Sequence, residues 1–420
     1  MTPFPSKPLA VTPDPMRCTG DGARLALLCV VACLLGACGG EDGTGVGAGS
    51  PDPDGPLYAV SVRIPGTPVA AFVAIVDSLE AGTEVDLETA LEIPNGGLAV
   101  GTEGTGVLYA VDGATPQLTR FEVSADGAFV PSDTLSTQEF SRSSNSAAAG
   151  NFVFISETKA YIIDTLSLVI VVWDPSLMEI TGTIDLGEAQ EDGLIALIGD
   201  QSVRRDNELV FALGYVSVGS AFGPDSKLVF VDTETDSIRR IVDVNDCAQA
   251  SSVLLDPGGD VYAASGAANV FNRLAGLSAG AECIVRVPAG TYDIEDYALL
   301  SARTDGAPAG SLLPQSGTKA YTRVLDDSLI AAGASDIGDF NQSQAWRWGL
   351  VDLAGDEPFE LITSLDPKSG STIPFRIDGE TWGSQGEPMF ASSRLVNLSS
   401  DQPRLGLEAT GVIINVFRVR

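Results

Sequence analysis

From residue 57 onward the chain is a succession of short runs in which apolar and polar positions alternate, separated by clusters of Gly, Asp, Asn and Pro. A period of two sends successive side chains to opposite faces, so each run predicts a β-strand and each cluster a turn. The segment after residue 150 shows this best: NFVFIS, KAYIID, LVIVVWD and MEITGTIDL follow one another with only turn residues between them. No amphipathic helix is predicted, and the chain reads as all-β.

The runs also repeat. An aromatic recurs in one local setting: Tyr58 in PLYAVSV, Tyr109 in VLYAVDG, Tyr161 in KAYIIDT, Phe211 in LVFALGY, Tyr262 in DVYAASG, Tyr321 in KAYTRVL and Trp382 in ETWGSQG. Successive members are 51, 52, 50, 51, 59 and 61 residues apart. A near-constant period of this size marks one supersecondary unit used repeatedly. Each unit divides into four strands, and four-stranded sheets repeated radially make a β-propeller, here with seven blades. The first unit holds only three runs, at 57–64, 69–77 and 85–93, whereas the run VIINVFRV at 412–419 is surplus to the seventh. That last run is expected to supply the missing inner strand of the first blade and close the ring. A β-sandwich or two smaller β domains are the alternatives. The repeated tyrosines are expected to be core residues between blades.

The first 55 residues break the pattern. Residues 25–35, LALLCVVACLL, form an apolar run with Arg17 and Arg24 just upstream. It is too short to span a bilayer, which takes about 20 residues. It ends in Leu35-Gly36-Ala37-Cys38, which looks like a bacterial lipobox, the signal in which the cysteine is lipidated and becomes the mature N-terminus. Residues 1–37 are therefore expected to be a lipoprotein signal peptide. The Pro-rich start to Pro15 fits no leader and makes Met16 an alternative start. Residues 38–55, the lipidated Cys38 followed by GGEDGTGVGAGSPDPDG, are expected to be a flexible tether, and residues 56–420 the propeller. Gly39 and Gly40 follow the cysteine. An Asp there commonly retains such proteins in the inner membrane, so an outer-membrane lipoprotein, on its surface or periplasmic side, is expected.

Charge and cysteine content narrow the partners. The net charge is −32, from 24 Lys and Arg against 56 Asp and Glu. Nucleic acid is a poor partner for such a surface, because its binding rests on cationic contacts to phosphate. Of six cysteines, Cys18, Cys29 and Cys33 lie in the leader and Cys38 carries the lipid. Cys247 and Cys283 remain as a pair, expected to form a disulfide in an oxidising compartment. Histidine is absent, which excludes a Ser-His-Asp triad, a Cys-His pair and His-ligated zinc. The alternating acids of VDTETDS at 231–237 resemble a calcium loop but lack its Gly and distal Glu, so a hairpin turn is expected there. No metal or cofactor is expected.

In propellers the loops between second and third strands and the blade-to-blade connections open on one face. Here the second-to-third loops of units four to six are long, at 217–225, 265–280 and 325–345. Long loops on a rigid scaffold are where binding sits. They carry Phe222, Phe271, Arg273, Phe340 and Trp346, and the connections QEFSRSSNS and LLSARTDG add Arg142 and Arg303. Several cations on one rim of an acidic body would make a local positive spot for an anionic ligand, with aromatics stacking beside it. The alternative is that these arginines pair with the surplus of surface carboxylates.

With the lipobox, the repeats and VIINVFRV in view, the chain resembles the propeller lipoproteins of myxobacterial siderophore loci, the myxochelin iron transport regulon proteins. The likeness covers roughly residues 57–420 and rests on runs such as KAYIIDTLSLVIVVWDPSLMEITGTIDL and GGDVYAAS. It implies a role at the envelope in iron acquisition and carries over no catalytic motif. The expected function is a monomeric, non-enzymatic lipoprotein that binds a ligand, such as a siderophore, or an envelope protein through the long-loop face. The alternatives are a structural or adhesive propeller and, behind it, a lactonase-type or quinoprotein-type enzyme.

Overall fold

The computed structural model describes residues 55–66, 68–141, 149–217, 221–278, 280–355, 357–387, 390–400 and 402–420. The leader, Cys38 and Arg142 lie outside the described residues. The described residues form seven four-stranded antiparallel sheets, the blades of a propeller. Blades 2 to 7 are continuous in sequence, at 98–136, 152–185, 194–244, 250–299, 309–362 and 374–410. In each, the strands run from the innermost outward in chain order.

Blade 1 is the exception that the surplus last run predicts. Its second, third and outer strands are Tyr58–Ile64, Ala70–Val76 and Leu91–Ile93, and its inner strand is Val412–Arg418. The closing pair runs from Tyr58 opposite Arg418 to Arg63 opposite Val412, with a bulge after Ser61. Ile413, Val416, Phe417 and Val419 are all buried, so the closing strand adds apolar area to the core as well as backbone hydrogen bonds. The expected run 85–93 yields only the three-residue strand Leu91–Ile93. Upstream of it, Glu80 and Glu84 form bridges to Gly406 and Glu408 in blade 7, across the same seam.

The core lies between blades, where alternating faces of neighbouring sheets meet. Tyr109, Tyr161, Tyr262, Tyr321 and Trp382 are buried against the following blade. Three of their hydroxyls reach the third-to-outer hairpin of that blade: Tyr109 donates to Pro175 O (3.1 Å), Tyr161 to Asp236 Oδ1 (2.5 Å) and Tyr321 to Ser400 O (2.5 Å). Burial and the Asp236 carboxylate hold the Tyr161 phenol well above its ordinary pKa. Tyr58 and Phe211 face the preceding blade instead, among the side chains of blades 7 and 3. With a period of two, one residue of slip reverses the face, and in these units Ala59 and Val210 or Ala212 pack against the following blade.

Many of the acids serve turns. Asp232 Oδ1 accepts the backbone N–H groups of Glu234 (2.8 Å) and Thr235 (3.0 Å), while Oδ2 takes the Arg239 guanidinium. Asp236 pairs with Lys159 at 2.9 Å. VDTETDS is thus a hairpin whose two aspartates are committed to the turn and to two cations. Asp112, Asp164 and Asp174 close turns in the same way. Cys247 and Cys283 are joined, with Cα atoms 5.1 Å apart, tying the connection between blades 4 and 5 to the third strand of blade 5.

Two predictions follow from these closures. Removing residues 412–420 deprives the core of five buried apolar side chains, Ile413, Ile414, Val416, Phe417 and Val419, worth about 8–15 kcal/mol, a loss comparable to the whole stability of a domain. The truncated chain is expected to lose its cooperative thermal transition and to bind a hydrophobic dye. The double substitution Cys247→Ala, Cys283→Ala opens a loop of 36 residues and is expected to cost about 3–4 kcal/mol. A urea titration monitored by far-UV circular dichroism reads that cost.

Candidate binding face

Strand order fixes the two faces of the ring. The inner-to-second and third-to-outer hairpins share one face, and the chain enters there: Leu57 N–H donates to Arg420 O (3.1 Å), and Val419 N–H to Leu57 O (2.7 Å). The second-to-third loops and the blade-to-blade connections share the other. The long loops of blades 4, 5 and 6 all fall on that second face, as the sequence predicts.

These loops form a packed cap, and two short helices inside it correct the expectation of none. Helix α1 is Ala267–Leu274 and helix α2 is Ile337–Gln342. Neither is long enough to show a period of 3.6 in sequence. Helix α2 starts in a reciprocal capping box, in which the Asp336 carboxylate accepts from Asp339 N–H and the Asp339 carboxylate from Asp336 N–H.

Phe271, Phe340 and Trp346 are brought together, with Val270, Leu325 and Ala345, as a small core beneath the cap. Phe271 meets Trp346 edge to face at 4.9 Å, and the Trp346 Nε1–H donates to Phe340 O (2.9 Å). Gly370 closes this core from the connection between blades 6 and 7, where a Cβ would lie 2.6 Å from the Phe271 ring. The three aromatics expected to stack on a ligand are therefore occupied with one another. Phe222 is half-buried and joins two loops, its N–H donating to Leu277 O (3.0 Å).

Among the described residues, Arg273 and Arg303 do not assemble into a positive spot. Arg273 makes a bidentate pair with the buried Glu282, at 2.9 and 3.0 Å. Glu282 Oε1 also accepts from Asn269, whose amide oxygen takes the Ser278 hydroxyl. This network clamps α1 onto its own loop. Arg303 sits away from the cap: it pairs with Asp296 at 3.8 Å, and its Nη1 lies 1.2 Å from where a Cβ on Gly355 would be. Arg347, which no sequence signal singles out, pairs with Asp326 (3.1 Å) at the foot of the blade 6 loop. Every one of these cations has a carboxylate within reach because acids outnumber bases so heavily. Exposed on the cap are Asp327, Leu329, Asp336 and Asp339, an acidic and partly apolar surface.

The innermost strands line the central channel. Among them Asp200, at a bulge in Leu194–Arg205, is the single carboxylate. Asp200 is solvent-accessible, and the protein crowded around its carboxyl desolvates it and raises it to about 6. The neighbouring Gln201 donates to Leu312 O of blade 6 (2.5 Å), spanning blade 5. Among the described residues no group of three or more His, Cys, Asp or Glu side chains is arranged to hold a metal ion.

No protein-family model matches the chain and no curated protein matches it. Solved structures resemble the chain at low identity. They include 6-phosphogluconolactonase-like propellers of Bacteroides uniformis (11% identity, TM-score 0.49, 87% of this chain and 99% of that one) and Bacteroides fragilis (9%, 0.48, 87% and 98%). Another is the hydrazine synthase of Kuenenia stuttgartiensis (10%, 0.43, 70% and 74%).

Phe271→Ala is expected to cost about 3–5 kcal/mol, the price of a core aromatic, and a thermal melt distinguishes this from a loss confined to binding. Asp200 binds more protons folded than unfolded between its ordinary value and about 6, so its contribution to stability falls as pH rises through that window. Asp200→Asn is expected to raise the melting temperature at pH 7 and to flatten its pH dependence between pH 4 and 6.

Proposed function

We propose that this chain is a non-catalytic binding propeller, held at the cell envelope by lipid on Cys38, that engages a protein partner through the cap of blades 4 to 6 and serves siderophore-dependent iron acquisition. The observation that carries this reading is the position at which the chain enters the ring. Leu57 lies on the hairpin face, opposite the cap. A tether over residues 38–54 has a root-mean-square reach of about 20–25 Å if flexible. An anchor on that side leaves the cap as the face turned away from the membrane.

The chemistry of the cap favours a protein over a small molecule. Small ligands need a concave site with open aromatic or apolar walls, and here Phe271, Phe340 and Trp346 close on themselves. What remains is a braced surface with exposed Leu274 and Leu329 among acids, suited to a partner with a basic rim. The non-catalytic part rests on Asp200 having no second carboxylate beside it among the described inner strands, and on the absence of histidine, the commonest general acid and base. The iron link rests on the sequence resemblance.

A photo-crosslinking residue placed at Leu329, in cells grown without iron, is expected to trap one discrete partner. The same residue at Leu177, exposed on the hairpin face, is expected to trap none. Equal trapping from both positions, or none from Leu329, would contradict the reading. Saturable binding of a free ferric catecholate siderophore by the purified protein would replace the protein partner with the siderophore itself.

A further inference from the structure

Arg323 lies in the second strand of blade 6, in the run KAYTRVL, and is wholly buried. Its side chain points towards blade 7, with the guanidinium 4.5 Å over the Trp348 ring. Nη2 donates to two carbonyls, Trp346 O (3.1 Å) and Ser369 O (2.6 Å). Nε and Nη1 have no hydrogen-bond partner among the described residues. No carboxylate of the described residues pairs with it. The contrast with the other buried arginine is plain, because Arg205 holds Glu208 at 2.8 Å.

Other unpartnered polar atoms belong to the segments whose carbonyls Arg323 holds. Ser369 Oγ, Thr372 Oγ1 and Gln344 Nε2 are buried without a partner among the described residues. They belong to two segments that Trp346 and Lys368 tie together by reciprocal backbone hydrogen bonds of 3.0 and 2.9 Å. Ser369 is also the residue whose carbonyl Arg323 holds.

An isolated buried charge is costly unless it is neutralised or paired. Burial brings the Arg323 guanidinium down to about 9, which leaves it charged at neutral pH. Two carbonyl dipoles on one nitrogen leave a full positive charge with three N–H groups unused, one on Nε and two on Nη1. The donors present are N–H and O–H groups around a single cation, a set that suits a compact monovalent anion. A phosphate or sulfate carries a second charge and asks for further cations and room, and the Trp348 face restricts the space.

We infer that the interface between blades 6 and 7 binds a small inorganic anion of the halide class on Arg323 Nε and Nη1, with the Ser369 hydroxyl as a further donor. The site lies directly below the cap, because the Trp346 whose carbonyl receives Arg323 also places its ring in the cap's core.

The test uses the full chain in detergent, melted in sodium chloride, sodium bromide or sodium gluconate at one fixed ionic strength. Fixed ionic strength matters because an acidic surface responds to any salt through screening. The expected result is a saturable rise in the melting temperature of about 2 °C in the halides over gluconate. Arg323→Met is expected to abolish that difference while melting no lower than the wild-type chain in gluconate, since the uncompensated charge has gone. Ser369→Ala is expected to weaken the halide response several-fold and serves if the methionine variant fails to fold. Bromide-soaked crystals are expected to give an anomalous peak beside the guanidinium. Equal melting in chloride and gluconate, or a halide response that survives in Arg323→Met, would overturn the inference and leave water as the partner of Nε and Nη1.

Discussion

The structure depends on one set of backbone hydrogen bonds, the pairing of Val412–Arg418 with Tyr58–Ile64. An open ring of blades leaves two bare sheet edges and one unpacked interface, and unpaired strand edges invite association with other chains. Pairing the two ends of the sequence removes both. The same closure fixes where the chain enters, because Leu57 and Arg420 are held together on the hairpin face. The cap then necessarily stands on the opposite face, so the closure of the fold also sets where the cap lies relative to the point of chain entry.

How much of this was legible in the sequence depended on whether the signal was local. The alternation within strands and the turn residues between them are local, and they located the blades and the loops. The widening of the repeat from about 51 to 59 and 61 residues reflects the long loops of blades 5 and 6, which hold α1 and α2. The repeated aromatic was a good marker of the second strand and a poor one of its face. Tyr58 and Phe211 sit one position out of phase, and a single residue reverses a β side chain. The D-x-x-D of Asp336 and Asp339 was a readable capping box, hidden by the shortness of the helix it starts.

The candidate site was less legible because its chemistry is set by partners distant in sequence. Phe271, Phe340 and Trp346 lie up to 75 residues apart and become core only because Gly370 lets a fourth segment approach. Arg273 and Arg303 carry positive charge in the sequence, yet Glu282 and Asp296 take it up in the fold. With acids in such excess, a surface arginine without a partner is the improbable outcome. Arg323 shows the opposite situation. An arginine in the middle of an apolar alternating run is a visible anomaly, and it marks the one interface where a buried guanidinium has no carboxylate to meet among the described residues.

The acid surplus has a further physical meaning. Aspartates at turns accept backbone N–H groups that would otherwise be unsatisfied, so part of the negative charge stabilises the hairpins and the remainder keeps the surface hydrated. The most direct test of ring closure is native-state hydrogen exchange followed by mass spectrometry across the whole chain. The amides of residues 58–64 and 412–418 are expected to exchange as slowly as those of the inner strands of blades 4 and 5, through global unfolding alone. Rapid exchange in either segment while the remaining blades stay protected would show that blade 1 opens on its own, and would contradict the closed ring on which the opposition of chain entry and cap rests.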